Sequence, residues 1–238
     1  MNLNTLKIWK IVGLISTLVI ILSIPLYLLV ENQRVEGGGG FQVKMQATFV
    51  GSDQCRSCHK QEHDKWLQSH HRMAMAEASA ETVLGDFANS EFEHYGVTTR
   101  FFMKDNGYFV RTIGPEGVIG DFPITHTFGW YPLQQYLVPF PGGRLQCLLI
   151  AWDVEKKEWY HLYPDTPPDP EDWLYWTNQG QNWNGMCAEC HVTNFKKGYD
   201  HKTNSFKTTW SEIDVACEAC HGPGSEHVAW AETPEMGR

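Results

Sequence analysis

Six of the chain's seven cysteines fall into one repeated pattern, Cys-x-x-Cys-His. It occurs as Cys55-Arg56-Ser57-Cys58-His59, as Cys187-Ala188-Glu189-Cys190-His191 and as Cys217-Glu218-Ala219-Cys220-His221. Residues at i, i+3 and i+4 share one face of a helical turn. Two thiols at that spacing reach the two vinyl groups on one side of a porphyrin, and the next imidazole points at the iron from the same side. This is the attachment signature of c-type haem. The chain is therefore expected to hold three covalently bound haems c through thioethers at Cys55, Cys58, Cys187, Cys190, Cys217 and Cys220. His59, His191 and His221 are the proximal ligands.

Two other uses of paired cysteines compete. A lone Cys-x-x-Cys can be a redox disulfide or half of a zinc site, and the second and third pairs resemble a zinc ribbon with a long loop. Histidine, however, makes up 11 of 238 residues, so its chance placement after all three pairs is on the order of one in ten thousand. A four-ligand zinc site would also leave Cys55, Cys58 and His59 without a role. The seventh cysteine, Cys147 in LQCLLI, reads as a buried apolar residue.

Each iron has a sixth position, and eight histidines remain to fill three: His63, His70, His71, His94, His126, His161, His201 and His227. Met73, Met75, Met103 and Met186 are alternatives that would raise the potential. The surplus of imidazole favours bis-His iron. His63, one turn after His59, is expected to pack beside the haem. His70 projects away from His71, His126 sits in a strand, and His201 falls in a polar stretch.

The N-terminus carries a second signal. No charge occurs from Ile11 to Val30, a run that at about 1.5 Å per helical residue matches a hydrocarbon core of roughly 30 Å. Lys7 and Lys10 precede it, while Glu31, Arg34 and Glu36 follow, so the positive-inside rule puts the N-terminus in the cytoplasm. A cleaved signal peptide would have a shorter apolar core and a small-residue cleavage site, and ENQRVEGGGG offers none. The expectation is a single-pass membrane anchor over residues 1–35, a Gly-rich tether over 36–47, and a haem domain over 48–238 on the periplasmic or extracellular side. The net charge of −9, with no basic cluster beyond the N-terminus, argues against nucleic acid as a partner.

The haem domain reads as three zones. Residues 48–90 look mostly helical and His-rich, with Gly85 as the stop. Residues 92–163 alternate β-branched and aromatic runs with turn signals at Asp105-Asn106-Gly107, Gly114-Pro115 and Pro141-Gly142-Gly143, which predicts an inserted antiparallel sheet. Residues 164–238 open on a Pro/Asp-rich loop and carry two Cys pairs near short helices. The predicted class is α+β: a transmembrane helix, then a multihaem cytochrome c domain of short haem-binding helices with an inserted sheet.

The segments CRSCHKQEHDKWLQSHHRMAM, TFGWYPLQQYLVPFPGGRLQ, WYHLYPD, QNWNGMCAECH and TTWSEIDVACEACHGPGSEHVAW resemble the multihaem cytochromes c often fused to tetratricopeptide repeats, over roughly residues 48–231. The resemblance implies an oxidoreductase or electron carrier outside the cytoplasm. Its Trp-x-x-Ser-x-His motif falls on Trp66, Ser69 and His71, and its Cys-His-Gly-Pro-Gly-x-x-His motif runs from Cys220 to His227. The resemblance implies His71 and His227 as distal ligands, and His161 at a further family position as the third choice, just ahead of His94. The chain departs from the family at His63, where an aromatic residue is usual, and at Cys147, where a small one is. No repeats follow Arg238, so the chain reads as a subunit that docks onto something else, or as a fragment.

Two functions fit these residues. Three bis-His haems would make an electron relay between a membrane redox complex and a partner protein. Alternatively, one open-coordinated haem would make an oxidoreductase for a small nitrogen or sulfur compound.

Overall fold

The computed structural model describes residues 21–25, 27 and 46–233. The chain divides into two units, Met1–Gln46 and Ala47–Arg238. In the first, residues 21–25 and 27 are helical and exposed; most of the expected anchor, and the whole Gly37–Gly40 tether, lie outside the described residues. The expectation of a single-pass membrane anchor, and of a membrane location resting on it, is corrected here. Among the described residues no helix is long and apolar enough to cross a membrane.

The second unit opens with two short helices, α1 (Ser52–Arg56) and α2 (Lys60–Trp66). The expected helix does not continue beyond Trp66. The Ser69 hydroxyl donates to the Trp66 carbonyl at 2.7 Å, folding the chain into turns. Met75–Glu77 then forms strand β1, although methionine and alanine are good helix formers. Pairing along a sheet edge overrides that local preference.

Strands β2 (Ala88–His94), β3 (Val97–Lys104), β4 (Gly107–Ile113) and β5 (Ile119–Ile124) form a four-stranded antiparallel meander. Asp105 and Asn106, both at positive φ, make the two-residue β3–β4 hairpin, whose twist suits left-handed backbone. Strands β6 (His126–Phe128), β7 (Leu133–Phe140), β8 (Arg144–Cys147), β9 (Ile150–Asp153) and β10 (Glu158–His161) follow. With β1 they form a second antiparallel sheet in the order β1-β6-β7-β9-β10, with β8 also on β7. The strands of the 92–163 stretch thus lie in two sheets rather than one, and they recruit β1 and the start of β2 from the zone read as helical. The β7–β8 turn requires glycine at 143, where φ is +72° and a Cβ would meet the Phe206 carbonyl oxygen at 2.3 Å.

The remaining elements are helices α3 (Trp183–Met186) and α4 (Ala188–His191), the small hairpin β11 (Tyr199–Asp200) and β12 (Ser205–Phe206), and helices α5 (Cys217–His221) and α6 (Ser225–Glu232). Side chains alternate across a strand, so β7 faces two cores. Tyr136 and Val138 join Phe87, Phe101, Val110, Trp152, Trp159 and Trp176 in an aromatic core between the sheets. Leu137 turns the other way, onto Met75, Cys147, Trp183, Ala188 and Val192. Strand β7 therefore backs the helices that carry the second Cys-x-x-Cys-His motif. Cys147 is 2% exposed, and burial pushes its thiol well above the ordinary range.

Candidate haem-binding centre

Each motif occupies one helical turn. Cys55 lies in α1, and its carbonyl accepts from the N–H groups of Cys58 (3.3 Å) and His59 (2.9 Å). Cys217–His221 is helix α5 itself, and Cys190 N–H closes the second turn onto Cys187 O at 3.2 Å. In all three the first cysteine is half-buried and the second exposed; His59 and His221 are exposed, and His191 is half-buried. None of the six thiols is in a disulfide. Burial, with Cys217 and Glu218 nearby, pushes the Cys55 thiol up to about 11, and burial also raises Cys187 and Cys217. A redox-active Cys-x-x-Cys instead needs a lowered thiol pKa. A zinc ribbon needs both pairs to converge, and among the described residues no group of three or more His, Cys, Asp or Glu is arranged to hold a metal ion. Free thiols on one turn with an imidazole beside them, flanked by exposed Met186 and Leu67, fit a covalently attached haem. Such a group would cover that apolar surface.

The three turns hang on one short segment, residues 212–218. Glu212 accepts from Ser52 N–H and its hydroxyl, fixing α1. Trp66 Nε1–H donates to Val215 O at 2.9 Å, and Val215 N–H donates to His71 O at 3.1 Å. Thr193, two residues after His191 and 0% exposed, bridges the second motif to the third. Its hydroxyl donates to Asp214 O at 2.8 Å and accepts from Ala216 N–H at 2.9 Å. The Cys55 thiol donates to Gly51 O at 3.5 Å, and Cys217 is among the groups whose proximity raises its pKa.

A family model described as "Cytochrome c554 and c-prime" matches residues 54–94 and 174–222, two stretches that contain all three turns. In these stretches the chain is similar to multihaem c-type cytochromes. That similarity implies covalently bound haem c and electron transfer with redox partners. The crystal structure of outer cell wall cytochrome OcwA is similar over 76% of this chain and 33% of that one, at 19% identity and a TM-score of 0.49. The chain thus spans about a third of that chain's length. No curated protein matches.

The other histidines separate by position. His227, on α6, brings its ring to 6.1 Å from that of His59, with 23° between the planes, and the Trp230 ring lies 5.9 Å from that of His227. His71 is exposed in the turns after α2, held near the third motif by the Val215 bond. His161 and His94, at the ends of β10 and β2, stack on each other at 4.0 Å. They line a cavity of about 250 Å³ with Thr99, Leu149 and Trp176. His94 Nε2 sits 3.0 Å from Thr166 O, and His161 Nδ1 sits 2.9 Å from Tyr163 O. His63 is buried against Trp66, 5.2 Å between rings, His70 lies near Tyr131, and His201 is exposed. His126 is partly buried beside Thr125. His191 packs on Phe128 at 4.4 Å, and burial lowers its pKa, favouring the neutral imidazole that ligates metals.

Sequence reasoning missed the polar clasp: Glu212, Asp214, Glu218, Thr193 and Arg72. Asp214 pairs with Arg72 at 3.0 Å while 5% exposed. Burial, opposed by Arg72, raises its pKa from 3.8 to about 6. The folded protein therefore binds this proton at higher pH than the unfolded chain does, so the contribution of Asp214 to stability is fullest at low pH and is lost as pH rises through that window. Asp214→Asn should flatten the decline between pH 3.8 and about 6, read as the denaturant midpoint against pH.

Proposed function

We propose that the protein is an electron relay, its residues 48–238 carrying three haems c between redox partner proteins. The observation that carries this reading is the docking of three Cys-x-x-Cys-His turns onto the single segment 212–218, through Ser52 on Glu212 and Thr193 on Asp214 and Ala216. Haems anchored there share one short frame, and electron transfer depends on closeness. When bound, each haem supplies a one-electron iron couple. The chain supplies attachment through the six cysteines, axial imidazole, and walls of fixed polarity. His59, His191 and His221 are the proximal ligands in this reading.

The same reading puts His227 opposite His59. Imidazoles on opposite sides of one metal have centroids roughly 6 Å apart when each metal–nitrogen bond is about 2 Å. The observed 6.1 Å agrees with that span and exceeds a stacking contact. His71 is the next distal candidate, because its backbone is tied to Val215. His161 and then His94 follow; each already places one nitrogen near a backbone carbonyl.

A relay needs six-coordinate iron throughout. Adding carbon monoxide to the reduced protein, or nitrite or hydroxylamine to either redox state, should leave the Soret band in place. A Soret shift accompanied by turnover of the nitrogen compound would replace the relay with a haem enzyme.

A further inference from the structure

Glu218 stands inside the third motif, between two haem-attaching cysteines, yet it is 3% exposed. Its Oε1 accepts from Val50 N–H at 3.0 Å and from Gly224 N–H at 2.7 Å. Its Oε2 accepts from Val50 N–H at 3.0 Å and from Gly51 N–H at 2.8 Å. Val50 and Gly51 lead directly into α1, and so to His59. Gly51 has a φ of +86°, a backbone state that favours glycine and aims its N–H at the carboxylate. Gly224 caps α6, the helix that presents His227; a Cβ there would meet Glu218 Oε1 and Val50 Cγ2, each at 3.2 Å. One buried carboxylate therefore grips both the segment leading to His59 and the helix carrying His227.

We propose that Glu218 is a positioning residue that sets the His59–His227 separation, so that the third motif controls the axial ligation of the first haem. This rests on the reading that those two imidazoles share one iron. The chemistry of the grip is specific. Every partner of Glu218 is a donor, and a carboxylate has acceptors on both oxygens. A glutamine of the same size would turn an NH₂ toward one set of N–H groups, so it could hold Gly51 or Gly224 but not both. A role that only filled space would tolerate glutamine.

The test uses the full holo-protein, reduced, with carbon monoxide as the probe and the Soret difference spectrum as readout. Intact mass confirms the haem load of each variant. His227→Ala should create one carbon-monoxide-binding haem per chain where wild type has none. Glu218→Gln should bind carbon monoxide at the same haem, to a fraction between wild type and His227→Ala. Glu218→Asp, with a shorter reach, should show the same defect. Trp159→Ala, which weakens the sheet core, should bind none, separating mispositioning from general loss of stability. If His227→Ala binds no carbon monoxide, the shared-iron reading itself falls. If His227→Ala binds it while both Glu218 variants behave as wild type, the shared iron stands and the positioning role is overturned. Loss of the first haem alone in a Glu218 variant, located by peptide mass, also supports the role; loss of all three overturns it.

Discussion

Thr193→Val is expected to destabilise the protein by about 2–6 kcal/mol, although the two side chains have nearly the same shape. The cost comes from what is left behind. Thr193 is fully buried, and its hydroxyl serves Asp214 O as donor and Ala216 N–H as acceptor. Removing it strands two backbone groups away from water, each worth about 1–3 kcal/mol. The local consequence is equally specific. Ala216 precedes Cys217, so the start of α5 loses its tie to the second motif, while the backbone bonds of Thr193 to Glu212 and Ser211 remain. Denaturant unfolding measures the global loss, and faster amide exchange at Ala216 locates it. A change under about 0.5 kcal/mol, the usual range for an inconsequential substitution, would mean that Thr193 is not the bridge described.

Trp159→Ala is expected to cost about 3–5 kcal/mol, the range for deleting a large buried aromatic. Trp159 sits on β10 and stacks face to face on Phe101 of β3, at 3.6 Å and 5° between planes. It also meets Phe87 at 5.6 Å and Trp152 at 5.1 Å, edge to face, and its indole N–H donates to Ser90 Oγ at 2.9 Å. It is thus the main weld between the two sheets. Trp159→Phe keeps much of the ring contact and loses the hydrogen bond, so it should cost less than the alanine change. Thermal unfolding of both variants checks the order. The visible spectrum should not change in either, because no haem-attaching residue packs on Trp159.

The proposed attachment turns were easier to read in the sequence than the frame that holds them. The Cys-x-x-Cys-His turns were legible because attachment geometry is local: five consecutive residues state it in full. The strands of 92–163 were legible because β-branched and aromatic runs alternate with residues that tolerate positive φ, such as Asp105 and Asn106. The stretch after Trp66 was misread because its Ala and Met residues favour helix while their pairing partner, β6, lies about fifty residues away. The clasp was illegible for the same reason in sharper form. Glu212 and Glu218 look like surface carboxylates, and only their long-range partners Ser52, Val50 and Gly51 reveal their role. At the N-terminus, hydrophobicity alone suggested an anchor, which the helices of the described residues do not support.

The haem count tests the central claim most directly. The pyridine haemochrome spectrum gives haem per polypeptide, and mass spectrometry under denaturing conditions shows whether that haem is covalent. Three haems per chain are predicted, falling to two when either Cys187 and Cys190 or Cys55 and Cys58 are both changed to serine. A chain that matures with fewer than three, or a colourless protein holding stoichiometric zinc, would contradict the account.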